Sequence, residues 1–328
     1  MTTRRQSFAL LGATLALSTV AARAQPPNRK VRIGYLSTGG VGSKGAFLDA
    51  FKDALREVGY VDGRNVEIDV RWSGDSAGTF PQLAESLVRN RPDLIVGTCI
   101  PSTRAAKGAT STIPVVLSVD GDPVAAGLVA SFARPGGNVT GVSTRFEELI
   151  QKWLEILHEA IPKVRDIAVL TNPENPIDPY FSALFEAAGQ RIGVQTVRVE
   201  ARLADRLDAA FADMKQRNAA GLVVMTEGFF VSQHQRIVAL AERYRLPAIY
   251  GYREFVDAGG LMSYGISYRD YYKRVARYVD AVVKGTRPAD LPVEQPSRIE
   301  LVINLRTAKA QGLTIPQPLL LRADALIR

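Results

Sequence analysis

From Val31 onward, short apolar runs alternate with amphipathic stretches, the pattern of βαβ units that place helices on the faces of a parallel sheet. Val31, Ile33 and Tyr35 predict a first strand that breaks at Ser37, Thr38, Gly39 and Gly40. Phe47, Phe51, Ala54, Leu55 and Val58 then recur at three- and four-residue steps, which predicts a helix ended by Gly59. Val66 to Val70 predicts the second strand, Phe80 to Asn90 the second helix and Leu94 to Val96 the third strand. A helix opening at Pro101 and Ser102 and a strand over Val115 to Leu117 complete this series.

A second series follows Gly141, Val142 and Ser143. It predicts helices over Lys152 to Ala160, Tyr180 to Arg191, Leu207 to Gln216 and Gln233 to Tyr244. They alternate with strands over Ile167 to Leu170, Gln195 to Val199, Leu222 to Met225 and Ala248 to Tyr250. Leu261 to Tyr264 and Glu300 to Asn304 predict late strands, with a long helix over Tyr271 to Val283 between them. The fold class is therefore α/β, with two doubly wound, Rossmann-like lobes. The late segments return to lobes already built, so a multi-stranded hinge joins the two. Residues 31–143 with about 265–290 are assigned to the first lobe, and 144–264 with about 291–328 to the second. Ligands of such sheets bind at the carboxyl ends of parallel strands, so facing lobes would enclose a solute and close over it by hinge motion.

The first 24 residues differ from the rest. Arg4 and Arg5 precede an apolar run from Phe8 to Val20, and Ala22, Arg23 and Ala24 form an A-x-A cleavage signal. That run is shorter than the roughly 20 residues a membrane-spanning helix needs, so residues 1–24 read as a signal peptide removed before Gln25, giving a periplasmic protein. Its removal lowers the net charge of +8 by three arginines. The remaining basic residues are spread along the chain and do not form the clustered face that nucleic acid requires. Cys99 is the single cysteine, which excludes an internal disulfide, and His158 and His234 are the only histidines, so no zinc or haem spacing arises. No G-x-S-x-G elbow or Walker A loop is present and no G-x-G-x-x-G is read after the first strand; Gly39, Gly40, Val41 and Gly42 read as too loose for a dinucleotide site. No catalytic residue, metal or cofactor is expected.

Candidate ligand contacts lie at strand ends. Ser37 and Thr38 follow the first strand and offer hydroxyls and amides to a carboxylate, or else form an ordinary βα turn. Thr98 and Ser102 bracket the turn after the third strand, where Ser102 either caps its helix or donates to the ligand. Asp122, with Asp120 as its substitute, follows the fourth strand and could pair with an amino group or close an Asx turn. From the second lobe come Asn172, Glu227, Tyr250 and Arg253, each at or after a strand end. Phe229, Tyr180, Tyr250 and Tyr264 are rings that could stack on a planar solute or pack in the core.

Several stretches taken in order resemble the ABC-importer substrate-binding family of the tryptophan/tyrosine transport type. They run from Arg32 to Ser37, Leu55 to Val66, Arg91 to Val96 and Ala109 to Val116, then Gly121 to Val124 and Gly127 to Gly141. Asn172 to Pro176 and Ala308 to Pro316 complete the set. The resemblance implies a type I periplasmic-binding-protein fold, a small-molecule ligand such as an aromatic or other amino acid between the lobes, and a partner ABC permease with its ATPase. It leads to the expectation of a monomeric, non-enzymatic receptor. An exported ligand sensor for a membrane receptor, or an exported α/β enzyme, is the alternative.

Overall fold

The computed structural model describes residues 29–38, 45–74, 77–144, 146–175, 178–296 and 299–328. The leader read over residues 1–24 lies outside them, as do Gly39 and Gly40.

The first lobe is built from β1 (Val31–Ser37), α1 (Ala46–Glu57), β2 (Val66–Trp72), α2 (Phe80–Arg89), β3 (Leu94–Gly97), α3 (Ile100–Ala109), β4 (Val115–Asp120) and β5 (Val139–Thr144). Its five strands are all parallel, in the order β2-β1-β3-β4-β5. Strands buried on both faces need continuous apolar runs, and β3 is buried at all four positions from Leu94 to Gly97.

The second lobe starts with α4 (Phe146–Ala160), β6 (Asp166–Thr171), α5 (Asp178–Ile192), β7 (Gln195–Glu200), α6 (Leu207–Gln216) and β8 (Gly221–Val224). It continues with α7 (Gly228–Ser232), α8 (His234–Arg243), β9 (Ala248–Tyr252), α9 (Arg253–Asp257) and β10 (Met262–Ile266). Next comes α10 (Tyr268–Val283), followed by β11 (Glu300–Asn304), α11 (Leu305–Ala310), α12 (Gln317–Arg322) and β12 (Ala325–Ile327). Seven strands form the second sheet, ordered β12-β11-β10-β9-β8-β6-β7, and only the β10–β11 pair is antiparallel. Most of the expected elements are present, but β5, β12 and the short helices α7, α9, α11 and α12 were not expected. All but β5 are brief, and in β5 the apolar residues Val139 and Val142 lie three apart and do not alternate.

Helix α10 is the structural link. Its buried residues Tyr268, Tyr271, Tyr272, Val275, Ala276, Val279 and Val282 follow helical spacing. That face packs on α1 and on β3, β4 and β5 of the first lobe, although α10 follows β10 of the second. Glu294 then pairs in parallel with Val142 of β5 before the chain returns to β11. The chain thus crosses between lobes three times: after β5, between β10 and α10, and between Glu294 and β11. No helix among the described residues is long and apolar enough to cross a membrane.

Candidate functional site

In a sheet ordered 2-1-3-4-5 the connections part in opposite directions at the gap between β1 and β3, which leaves a crevice at the carboxyl ends of those strands. The second sheet has the same arrangement between β6 and β8. Ser37 and Thr98 follow β1 and β3, while Asn172 and Glu227 follow β6 and β8. All four line one chamber of about 420 Å³ between the lobes.

On the first-lobe side, the Thr98 hydroxyl donates to Ser37 Oγ at 2.7 Å. Gly97, just before Thr98, lets α3 pack close against β3, because a Cβ there would lie 2.5 Å from Thr103 Oγ1 and 2.9 Å from Thr103 Cα. Thr38 also lines the chamber, as does Asp122, whose Oδ1 accepts the amides of Val124 at 2.8 Å and Ala125 at 3.1 Å. Asp122 therefore closes an Asx turn while facing the chamber. The side chain of Asp120 lies outside the described residues.

Across the chamber, Glu227 is buried, and its two carboxyl oxygens accept Nδ2 of Asn172 and Nδ2 of Asn175, each at 3.0 Å. Burial pushes its carboxyl up to about 7, opposed by the two asparagine amides and reinforced by Asp178 and Glu174. Asp178 is likewise raised by burial, although Arg198 Nη2 donates to it at 2.5 Å.

Three expected contacts lie elsewhere. Ser102 is fully buried in a capping box, where its Oγ accepts the Cys99 amide at 3.0 Å and its own amide donates to Cys99 Sγ at 3.4 Å. It caps and does not line the chamber. Tyr250 is in the second-lobe core, stacked on Phe255 at 4.6 Å and 13°. Strand β9 runs on past it, so Tyr252, on the same face two residues later, reaches the chamber instead. Tyr264 falls mid-strand for the same reason, since β10 extends to Ile266, and its carbonyl accepts Trp153 Nε1 at 2.5 Å. Of the other expected groups, Tyr180 lines the chamber while 53% exposed. Phe229 is buried against Phe230, and Arg253 pairs with Asp257 and Glu300.

Sequence reasoning missed most of the aromatic wall. Phe47 from α1 meets Tyr252 from β9 edge to face at 6.0 Å, and Tyr268 of α10 lies 6.0 Å from Phe47 and 5.7 Å from Tyr252. Tyr271 and Tyr272 line the chamber beside them, and the Tyr271 hydroxyl donates to the Val142 carbonyl at 2.9 Å. The signal available was the cluster Tyr268, Tyr271 and Tyr272 on one helical face. Gly40, Gly42 and Gly45 do have the spacing of a dinucleotide fingerprint after β1, contrary to the reading above. Strand β2, however, ends on Trp72 and not on the acid that such sites use to hold a ribose.

Two doubly wound lobes whose switch points face each other across a solute-sized chamber, joined by three crossings, define a type I periplasmic binding protein. The chain belongs to the ABC transporter substrate binding protein family, whose model matches residues 42–327. It is a solute-binding protein of ABC transport. A tyrosine-binding protein of Clostridioides difficile is 29% identical over 260 residues, which cover 79% of this chain and 74% of that one. An ABC domain from Streptococcus pneumonia, solved in complex with L-Trp, is 27% identical with a TM-score of 0.68 and covers 91% of this chain and 100% of its own. A conserved domain protein from Vibrio cholerae is 26% identical with a TM-score of 0.70, over 91% and 100% of the two chains.

Proposed function

We propose that the protein is exported to the periplasm, captures an aromatic amino acid in the interlobe chamber, and hands it unchanged to an ABC permease. The observation that carries this reading is one chamber that combines a wall of rings with a buried carboxylate held by two asparagines. The rings of Phe47, Tyr252, Tyr268 and Tyr272 suit a planar side chain. Glu227 suits the ligand's ammonium, because Asn172 and Asn175 fix its two oxygens while leaving each a further lone pair. A volume of about 420 Å³ is in the range of roughly 300–1,000 Å³ typical of small-molecule sites. The tyrosine-binding and L-Trp-bound relatives support the same solute class.

Calorimetry on refolded, ligand-free protein tests the reading, with tyrosine, tryptophan, phenylalanine and the branched-chain amino acids as titrants. Saturable binding of at least one aromatic amino acid, tighter than any branched one, is the expected result. Absence of binding across the series overturns the solute assignment. Export is tested separately by fractionating cells that express the full chain: the mature protein should be periplasmic and begin at Gln25.

A further inference from the structure

The first-lobe wall of the chamber holds one hydroxyl that the folded chain leaves unused. Ser118 of β4 lines the chamber, is 4% exposed, and its Oγ has no hydrogen-bond partner among the described residues. Buried polar groups are almost always paired, so an unpaired hydroxyl on a residue that lines a binding chamber points to a partner that arrives with the ligand.

Register shows what that partner meets. Leu36 pairs with Gly97, and Gly97 with Leu117, across three adjacent parallel strands. The next residues along, Ser37, Thr98 and Ser118, therefore form one row at the carboxyl edge of the sheet. Thr98 gives its proton to Ser37, so within this row Ser118 is the hydroxyl without a partner. Strands lie about 4.8 Å apart. The two serines flank Thr98 two strand spacings apart, about 10 Å between backbones.

Other donors for an anion are scarce here. The first turn of α3 points at the same edge, but the Cys99 and Ser102 amides are used inside the capping box and the Thr103 amide goes to the Cys99 carbonyl. Pro101 has no amide, which leaves that of Ile100. Among the described residues that line the chamber there is no lysine or arginine, whereas Asp122, Glu174 and Glu227 are acidic. The negative end of a zwitterion is therefore left to neutral donors, these hydroxyls among them.

We propose that Ser118 is a specificity-determining residue, donating to the α-carboxylate of the bound amino acid beside Ser37, with the ammonium held across the chamber at Glu227. This inference rests on the amino-acid reading above and assigns the carboxylate end of the same site.

The test titrates wild-type protein, Ser118→Ala and Ser118→Thr with L-tyrosine, L-tryptophan and L-phenylalanine, and with the matched amines tyramine, tryptamine and phenethylamine, which lack the carboxylate. Melting temperature is followed in parallel. Hydrogen bonds to charged groups correspond to roughly tenfold or more in affinity. Ser118→Ala should weaken the amino acid that the wild type binds by about that factor and leave the matched amine within about twofold. Ser118→Thr, which retains the hydroxyl, should stay nearer the wild type. Equal weakening of amino acid and amine, or no weakening of either, overturns the Ser118 assignment while the solute reading stands. If the wild type binds none of the three amino acids, the solute reading falls and takes this assignment with it.

Discussion

Glu227, among the acids that line the chamber, sits in an environment far from that of its free side chain. Its carboxyl is raised from 4.5 to about 7, chiefly by burial. A folded-state value above the unfolded one means that the folded state binds more protons between those values, so ligand-free stability falls as pH rises from about 4.5 to 7 and is level above. The melting temperature of the ligand-free protein should therefore be higher at pH 5 than at pH 8. Glu227 contributes on the order of 2–3 kcal/mol to that difference, and Glu227→Gln should shrink it in a thermal scan at both pH values. Ligand binding has the opposite dependence. An ammonium pairs with the ionised carboxylate, so affinity for the amino acid should drop as pH falls below about 7 and the carboxyl takes up its proton. Calorimetry from pH 8 to pH 5 reads this directly, and in Glu227→Gln binding should be weaker and nearly independent of pH.

Among the elements, β9 separates site from core within three residues. Tyr250 is fully buried against Phe255, whereas Tyr252 ends the strand at the chamber. Tyr250→Ala should cost about 3–5 kcal/mol of stability, as large aromatic deletions from cores do, and leave ligand affinity close to the wild type. Tyr252→Ala should have the reverse profile, with weakened binding and a smaller loss in melting temperature. Both are read by paired denaturation and titration. The β3–α3 turn makes a second point. Since a Cβ on Gly97 would meet the backbone of Thr103, Gly97→Ala must push α3 away from the sheet. Overpacking of this kind costs about 1–3 kcal/mol, and here it should also reduce affinity, because Thr98 is the next residue.

At the scale of the whole molecule, the chamber belongs to neither lobe alone. Phe47 on α1 touches Tyr252 and Tyr268, and α1 also packs on α7 of the second lobe. A solute that bridges Ser37 and Ser118 on one side and Glu227 on the other, as proposed, favours a closed arrangement, in which it can reach both sides at once. Addition of the bound amino acid should lower the radius of gyration measured by small-angle scattering. Glu227→Gln, with one anchor removed, should require a higher ligand concentration for the same change.

Local pattern fixed the class of this protein. Alternating apolar runs and helical spacing are properties of neighbouring residues, so the strands from Val31 to Asn304 and the long helix after Ser267 are legible without coordinates, as are the hydroxyls and amides waiting at strand ends such as Ser37, Thr98 and Asn172. What tertiary structure decided is which strand ends face each other. Strand length moved the chamber contact from Tyr250 to Tyr252, a capping box withdrew Ser102, and register across three strands brought Ser118 beside Ser37 and Thr98. The sequence already places α10 with the first lobe; that its Tyr268, Tyr271 and Tyr272 line the chamber is a tertiary outcome. The capping box is a local choice between Cys99 and Ser102 that the sequence left open, whereas register between strands depends on contacts between residues far apart in the chain, about which local hydrophobic period carries no information.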